Sequence, residues 1–206
     1  MNADILQRCR KAFGDDDADT LLTAINLASD LRELHRFEEA LELTTDTLAR
    51  RRRLLGDDHP DSLDAAIGLA LSLFGLDRFA EAREHDEETL HRCRRVYGDD
   101  HPSTLIAANN LARDLRLLGQ FAESLDLYED THARHRRVLG ADHPAALASA
   151  SNLAIGLAAA DRLEEAVRLG EETVERSRRV LGADHPYTRR SVQYLAGHQE
   201  QLDARP

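Results

Sequence analysis

Tryptophan is absent from the sequence of 206 residues, and all aromatic residues together make up only 4% of it. The apolar share of 42% is still large enough for a sizeable core, which must therefore consist of leucine, alanine and valine. Proline and glycine are also scarce, with five and eleven occurrences, so long stretches contain no helix-breaking residue. This composition favours an all-α protein.

The sequence has only two cysteines, Cys9 and Cys93, which lie far apart in unlike positions. They form neither a disulfide framework nor a zinc-ligand spacing, which is typical of a protein from a reducing compartment. No apolar run approaches the roughly 18 residues of a membrane span. The first residues are polar and of mixed charge, unlike a signal peptide. We therefore expect a cytoplasmic protein with no membrane contact and no bound cofactor or metal.

Basic residues are outnumbered by acidic ones, 27 to 38, which gives a formal net charge of -11. An acidic protein repels the phosphate backbone unless a local basic patch overrides that field. We therefore expect no nucleic-acid partner.

A motif that ends in His-Pro recurs along the chain. Gly-Asp-Asp-His-Pro occupies residues 56–60 and 98–102, Gly-Ala-Asp-His-Pro occupies 140–144 and 182–186, and a degenerate copy lies at 14–18. Successive copies are 42 residues apart. Other columns keep this period, among them Leu27, Leu69, Leu111, Leu153 and Leu195, then Phe37, Phe79, Phe121 and Leu163, and the small residues Ala40, Ala82, Ser124 and Ala166. Chance does not align so many columns, so the sequence predicts a repeat architecture.

Each unit of 42 residues is predicted to form two helices. The proline of the motif suits the first helical turn, and the residue before it favours an extended backbone. The motif glycine follows the second helix and is expected to adopt the left-handed conformation of a helix C-terminus. The column of small residues allows the two helices of a hairpin to approach closely.

Stacked hairpins of this kind predict a right-handed α-solenoid that forms a single domain over residues 1–206. One hairpin cannot bury its apolar face alone, so the stack is expected to behave as one cooperative body. We expect four full hairpins and a half-unit at each end. The predicted ranges are the half-unit 2–13, the repeats 17–56, 60–98, 102–140 and 144–182, and the half-unit 186–201.

Residues 104–144 carry a resemblance to a known family. They contain Asn110-Leu111-Ala112, the turn Gly119-Gln120-Phe121 and the string Arg137-Val138-Leu139-Gly140 before Asp142-His143-Pro144. This pattern resembles the tetratricopeptide repeats of kinesin light chains and related arrays of bacterial signalling proteins, and the resemblance covers essentially the whole chain.

The resemblance implies that the first helices line a concave groove that receives a peptide. The implied groove positions are Asn26, Gly68, Asn110, Asn152 and Tyr194. An asparagine amide both donates and accepts hydrogen bonds, so it suits a peptide backbone of any sequence. Gly68 interrupts this series of asparagines.

Three further residues of the same helix are candidates for selecting the side chains of the ligand. Asn109, Arg113 and Arg116 lie within two turns around Asn110. The guanidinium groups are suited to a carboxylate or an acidic side chain. Asp30 and Asp114 lie near them in the repeat and are able to neutralise them.

Other polar patterns have a chemical and a structural interpretation. The Asp-His-Pro motifs suggest a metal site, but they are expected one per repeat at helix starts, where they do not converge. His132 and His135 have the spacing of two ligands on one helix, yet no third ligand is evident, and packing is the favoured interpretation. Arginine-rich segments at 50–53, 92–95, 134–137 and 176–179 leave an RNA-binding alternative, against a solvated face of ion pairs.

No catalytic motif is present: the sequence lacks a phosphate-binding loop, a nucleophile elbow and a cysteine with a plausible histidine partner. The sequence therefore predicts a non-catalytic module that captures a peptide or protein segment in its groove. One alternative is a regulatory arm of a bacterial signalling ATPase system. The other is a scaffold that self-assembles, as a homo-oligomer, through its terminal half-units. The residues to watch for assembly are Ile5, Leu6, Val192 and Leu195.

Overall fold

The structure, a computed structural model, describes residues 2–205, which contain ten α-helices and no β-strand. The helices are α1 (Asn2–Phe13), α2 (Ala18–Glu33), α3 (Phe37–Leu55), α4 (Pro60–Gly75), α5 (Phe79–Tyr97), α6 (Pro102–Leu117), α7 (Phe121–Leu139), α8 (Pro144–Ala159), α9 (Leu163–Leu181) and α10 (Pro186–Asp203). Even-numbered helices are the first helices of the repeats, and odd-numbered helices are the second ones. The all-α prediction is confirmed.

The chain divides into two compact units, residues 1–114 and 115–206, and the division falls within α6. In unit 1, each of α1 to α4 packs against the helix that follows it, and α2 also contacts α4. In unit 2, α7 packs on α8, α8 on α9 and α9 on α10, while α8 also contacts α10. Each unit is therefore a stack of helical hairpins. The expectation of a single cooperative domain remains a prediction.

Small residues mark the places where helices meet. The alanines at the predicted close-approach column, Ala40, Ala82 and Ala166, have no exposed surface. Leu69 and Leu73 of α4 surround Ala82 of α5 in a cluster that also includes Leu48 of α3. A side chain much larger than alanine or serine at such a position has no space, so the column fixes how closely α4 and α5 pack.

The motif glycines end the second helices with a backbone that glycine alone adopts readily. Gly56, Gly98, Gly140 and Gly182 have φ between 84° and 91°, as predicted, but their ψ lies between 158° and 171°. This is the extended region with positive φ rather than the left-handed helical conformation that the sequence suggested. The chain therefore turns straight from the helix into the next loop.

Arginines near the end of a second helix bind the aspartate before His-Pro in the preceding loop. Arg50 and Arg53 reach Asp16 at 2.9 and 2.7 Å. The same pairing recurs in later repeats, with Arg92 and Arg95 on Asp58, and Arg176 and Arg179 on Asp142. These arginines are therefore matched by acids rather than forming an unopposed basic stripe.

The close-approach column provides a direct test of this packing. Replacing Ala82 with leucine should overpack the α4–α5 contact and lower the free energy of unfolding by about 1–3 kcal/mol. Urea denaturation followed by circular dichroism measures the change. The matched control is Ala80→Leu, two residues earlier on an exposed face of α5, which should change stability little. Equal losses in both variants would contradict the assignment of the column.

Candidate peptide-binding surface

The asparagines of the first helices occupy different environments. Asn26 is exposed on α2, whereas Asn110 on α6 is only 8% exposed. The amide nitrogen Nδ2 of Asn110 is buried without a hydrogen-bond partner among the described residues. Asn152 on α8 is half-buried and has a partner of its own. Among the asparagines of this series that the structure describes, Asn110 is thus the one whose amide nitrogen is buried without a hydrogen-bond partner.

Asn109 is half-buried, and its amide nitrogen donates to the backbone oxygen of Leu105 at 3.0 Å. This hydrogen bond runs one turn back along α6, so one of the two N–H groups of the Asn109 amide is used within the helix. The structure does not test the predicted role of Asn109 in selecting a ligand, and that role remains a prediction.

Gly68, the gap in the asparagine series, makes room for an arginine of the neighbouring repeat. The guanidinium nitrogen Nη1 of Arg32 on α2 lies 3.4 Å from the backbone oxygen of Gly68 on α4 and donates to it. A Cβ at position 68 would lie 3.6 Å from the same nitrogen. Burial lowers the pKa of Arg32, and the nearby Glu33 partly offsets this effect. Arg32 makes no ion pair with a carboxylate of the described residues, so its half-buried charge is open to an external anion.

Arg113 is held by two neighbours in unit 1. Its guanidinium lies over the ring of Phe74, 3.6 Å from the centroid. Its Nε and Nη2 each donate at 3.3 Å to Oδ1 of Asp114. The positive charge that was predicted to clamp a ligand carboxylate is therefore partly matched already.

Arg116 belongs to unit 2 and is half-buried, with its Nε buried and unpartnered among the described residues. The two arginines of α6 therefore differ in how strongly the protein itself holds them. Their joint action on a ligand remains a prediction.

Asp86 on α5 and Asp114 on α6 are buried acids that the sequence did not single out together. Both are fully buried. Burial raises the pKa of Asp86 to about 9, and the negative charge of Asp114 and a hydrogen bond to it contribute further. Burial also raises the pKa of Asp114, although Arg113 opposes the shift. Unit 1 thus contains a carboxyl pair close behind the surface formed by its first helices.

The histidines of the Asp-His-Pro motifs cap helices. In each case Nδ1 of the ring accepts a hydrogen bond from the backbone N–H two residues later, at 3.1–3.2 Å, for His59, His101, His143 and His185. In the degenerate copy, the carboxylate of Asp17 accepts from Asp19 and Thr20 instead. These histidines satisfy backbone donors at the start of the first helices. Among residues 2–205, no three potential ligands of the histidine, cysteine or carboxylate type lie together in an arrangement suited to a metal ion.

His132 and His135 pack inside unit 2. Nδ1 of His132 lies 3.1 Å from the hydroxyl of Ser149, which itself donates to the backbone oxygen of Ala146 at 2.8 Å. Because that hydroxyl proton is already used, Nδ1 of His132 must carry the proton and donate to Ser149. Nδ1 of His135 similarly lies 3.1 Å from the backbone oxygen of Thr131. Both rings make local hydrogen bonds, in agreement with the packing interpretation.

Two open grooves of unit 1 are lined by residues other than the predicted asparagines. One, of about 640 Å³, is lined by α1, α2 and α3, and includes Leu6, Leu27 and Leu43. The other, of about 680 Å³, is lined by α3, α4 and α5, and includes Leu41, Thr45 and His85. The presence of a groove therefore does not distinguish the predicted surface. Its unpartnered polar groups do.

The length and the apolar character of the described helices decide whether any of them could span a membrane. Within residues 2–205, none of them combines the length and the apolar character needed to cross a bilayer.

The helical hairpins of residues 2–205, together with the sequence period of 42 residues, define an α-helical repeat protein. A family model described as tetratricopeptide repeat matches residues 19–90, 61–133 and 105–178. The chain belongs to the tetratricopeptide repeat family. A comparison of the sequence with curated proteins finds no significant match.

Solved structures show the same fold. A chain of nearly identical TPR-like repeats from Podosopora anserina, named after kinesin light chain, is 29% identical with a TM-score of 0.76, covering 90% of this chain and 88% of that one. BtubC (BKLC) from P. vanneervenii is 16% identical with a TM-score of 0.71, covering 100% and 91%. A Rap protein complexed with Competence and Sporulation Factor is 11% identical with a TM-score of 0.72, covering 98% of this chain and 59% of that one. The predicted kinship with kinesin-light-chain-like repeats is confirmed.

Arg32 shares its column of the repeat with Arg116, but it was not selected as a ligand contact from the sequence. Asp86, which is fully buried on α5, was not selected either. The available signal for Arg32 was Gly68, the single glycine in a column of asparagines, which leaves space for a long neighbouring side chain. The sequence signal for Asp86 was weaker, because its column has a different residue in every repeat: Thr44, Tyr128 and Gly170 occupy the equivalent positions.

The buried histidine of α7 should make unit 2 sensitive to acid. Burial lowers the pKa of His132 to about 4 from 6.5, and the charge of Arg136 adds to this effect. Between these pH values the unfolded chain binds a proton that the folded site does not accept, so the free energy of unfolding falls as the pH falls. The slope is at most about 1.4 kcal/mol per pH unit.

His132→Leu restores the leucine of the equivalent positions 48 and 90 and should remove this part of the acid sensitivity. Urea unfolding at pH 7 and pH 5 measures it, with exposed His91→Ala as the control. An unchanged difference between the two pH values in the leucine variant would refute the role of His132.

Proposed function

We propose that this protein is a non-catalytic binding module that captures a peptide or an extended protein segment on the face formed by its first helices. The observation that carries the proposal is the buried, unpartnered amide nitrogen of Asn110. A buried donor without an acceptor costs about 1–3 kcal/mol. We propose that the amide of Asn110 turns outward when a peptide binds, and that it recovers this free energy by donating to a carbonyl group of the peptide. Asn26 and Asn152, at the equivalent positions of α2 and α8, are proposed to pair with the peptide backbone in the same way.

The charge on this surface favours a ligand that carries a carboxylate. Arg32 has a half-buried guanidinium that donates only a long hydrogen bond, at 3.4 Å, to a backbone oxygen. A guanidinium without a carboxylate partner binds an anionic group strongly when it is partly shielded from water. Arg113 is proposed to play a smaller part than Arg32, because Asp114 and Phe74 already hold it. Asn109 and Arg116 remain secondary contributors to selectivity.

The similar structures support this proposal at the level of the fold. The Rap protein that shares the fold is bound to Competence and Sporulation Factor, so a stack of this kind is compatible with a bound factor. Tetratricopeptide repeats are typically modules for protein interaction. The serine–histidine contact of Ser149 with His132 is buried inside unit 2, and its hydroxyl donates to the backbone oxygen of Ala146, so it does not present an activated nucleophile to a substrate. These points favour binding over catalysis.

The terminal helices offer less support for assembly with a second copy. At α10, Arg189 and Gln199 occupy two columns that hold buried leucines in the four full repeats, such as Leu63 and Leu73. A polar outer face is typical of a capping helix, which keeps a repeat array soluble. At the other end Ile5 is 39% exposed, whereas Leu6 is buried. An apolar end facing a polar end does not favour head-to-tail stacking, so self-assembly is the weaker alternative.

The proposal predicts a specific pattern of affinities for peptides selected from a randomised display library on the wild-type protein. Asn110→Ala should weaken a selected peptide about fivefold, as expected for one hydrogen bond worth about 1 kcal/mol. Arg32→Ala should weaken a peptide with a carboxylate at least about tenfold, and Arg32→Lys should weaken it less. Fluorescence anisotropy at two salt concentrations measures both effects and the expected loss of affinity in high salt.

Thr45→Ala serves as the matched control, because Thr45 lines the groove between α3 and α5 instead. It should leave the affinity unchanged. A loss in the Thr45 variant with no loss in the Asn110 and Arg32 variants would move the binding site to the second helices. Failure to select any peptide would argue against peptide capture.

A further inference from the structure

The packing of α5 against α6 in unit 1 encloses two carboxyl groups. The side chains of Asp86 and Asp114 are 0% exposed. Oδ1 of Asp114 accepts from Arg113, but Oδ2 of Asp114 and both oxygens of Asp86 have no donor among the described residues. One repeat later, at the positions equivalent to Asp86 and Asp114, a Cβ at Gly156 would lie 2.6 Å from the ring of Tyr128, so these two positions face each other across the helix contact. The negative charge of Asp114 acts on Asp86, and a hydrogen bond between the two carboxyl groups is within reach. Two ionised carboxylates are acceptors only, so a proton must be added for that hydrogen bond to exist.

The charges around the pair also require a proton. The ionisable groups that act on Asp86 are Asp114 and Arg113 of α6, and those that act on Asp114 are Asp86 of α5 and Arg113. From α4 the cluster receives the ring of Phe74, over which the guanidinium of Arg113 lies. One arginine thus faces two acids, and a second buried negative charge without a counter-charge is costly.

This acid pair belongs to one junction only. At the position of Asp86 the other repeats have Thr44, Tyr128 and Gly170. At the position of Asp114 they have Asp30, Ser72 and Gly156, and Asp30 is exposed. The equivalent junctions therefore hold α-helices together without two buried acids, and any effect of the pair should be confined to α5 and α6.

We propose that Asp86 and Asp114 share a single proton at neutral pH and that this proton stabilises the packing of α5 against α6. The packing of these two helices in unit 1 therefore weakens in alkaline solution.

The direction of the pH effect follows from the burial of the pair. An aspartate in the unfolded chain ionises near 3.8, whereas the pKa of folded Asp86 is raised to about 9. The folded protein therefore keeps a proton that the unfolded chain releases between these values. The contribution of the pair to stability is complete below pH 4 and is lost progressively as the pH rises toward 9.

The decisive variant is Asp86→Asn, which has the same shape and carries a permanent donor for Asp114. Urea unfolding of the full chain is measured from pH 6 to pH 9 for wild type and variant. The unfolding equilibrium constant of the wild type should rise relative to that of the variant, by at most about tenfold per pH unit. Asp30→Asn, an exposed aspartate in the same column as Asp114, is the matched control and should keep the dependence of the wild type.

Two further measurements report on the site itself. Carbon-13 chemical shifts of the side-chain carboxyl groups should show one group that stays protonated at pH 7. Amide hydrogen exchange, corrected for its intrinsic pH dependence, should show protection lost first in α5 and α6 as the pH rises, and not in α2 and α3. The proposal is overturned if both carboxyl groups titrate in the ordinary range near 4, or if the asparagine variant keeps the pH dependence of the wild type.

Discussion

The close approach of neighbouring helices constrains every other feature of this chain. Where first helices meet their neighbours, Ala28, Ala70, Ala112 and Ala154 have at most 2% of their surface exposed. Such contacts leave space for little more than a methyl group, and they recur every 42 residues because each hairpin needs the next one to cover its apolar face. Polar side chains that fall beside these contacts cannot reach water, so leaving one without a partner inside the stack costs free energy.

Each junction meets this requirement with different residues. On α7 Tyr128 packs so closely against Gly156 of α8 that a Cβ there would lie 2.6 Å from the ring. At the equivalent positions of α5 and α6 two acids face each other, and at those of α3 and α4 Thr44 and Ser72 instead donate to backbone oxygens of their own helices. A bulky ring against a glycine, an acid against an acid and two small hydroxyls are not interchangeable. The junctions between repeats therefore differ in chemistry, although the packing columns of the repeats are nearly identical.

The helices and their order could be predicted from the sequence, because the residues that begin, end and pack a helical hairpin recur in four repeats. Proline at the start, glycine at the end and alanine at the contact each follow from the backbone of one hairpin. The role of Arg32 could not be predicted in this way, because it depends on Gly68 of the next repeat and on a side chain crossing between helices. The histidine caps were missed for a related reason. The acceptor is one ring nitrogen placed by the local backbone, whereas Asp-His-Pro as a motif points equally to metal binding.

Buried ionisable groups give the two units opposite responses to pH. In unit 1 the raised pKa of Asp86 makes the folded state bind a proton more tightly than the unfolded chain, so stability falls as the pH rises. In unit 2 burial lowers the pKa values of His132, His135 and His198, so stability falls as the pH drops below about 6.5. Neither effect depends on the exposed ion pairs, whose net contribution is small. We therefore expect histidines of α7 and α10 to contribute to the loss of stability in acid, and the carboxyl pair of α5 and α6 to contribute to its loss in alkali.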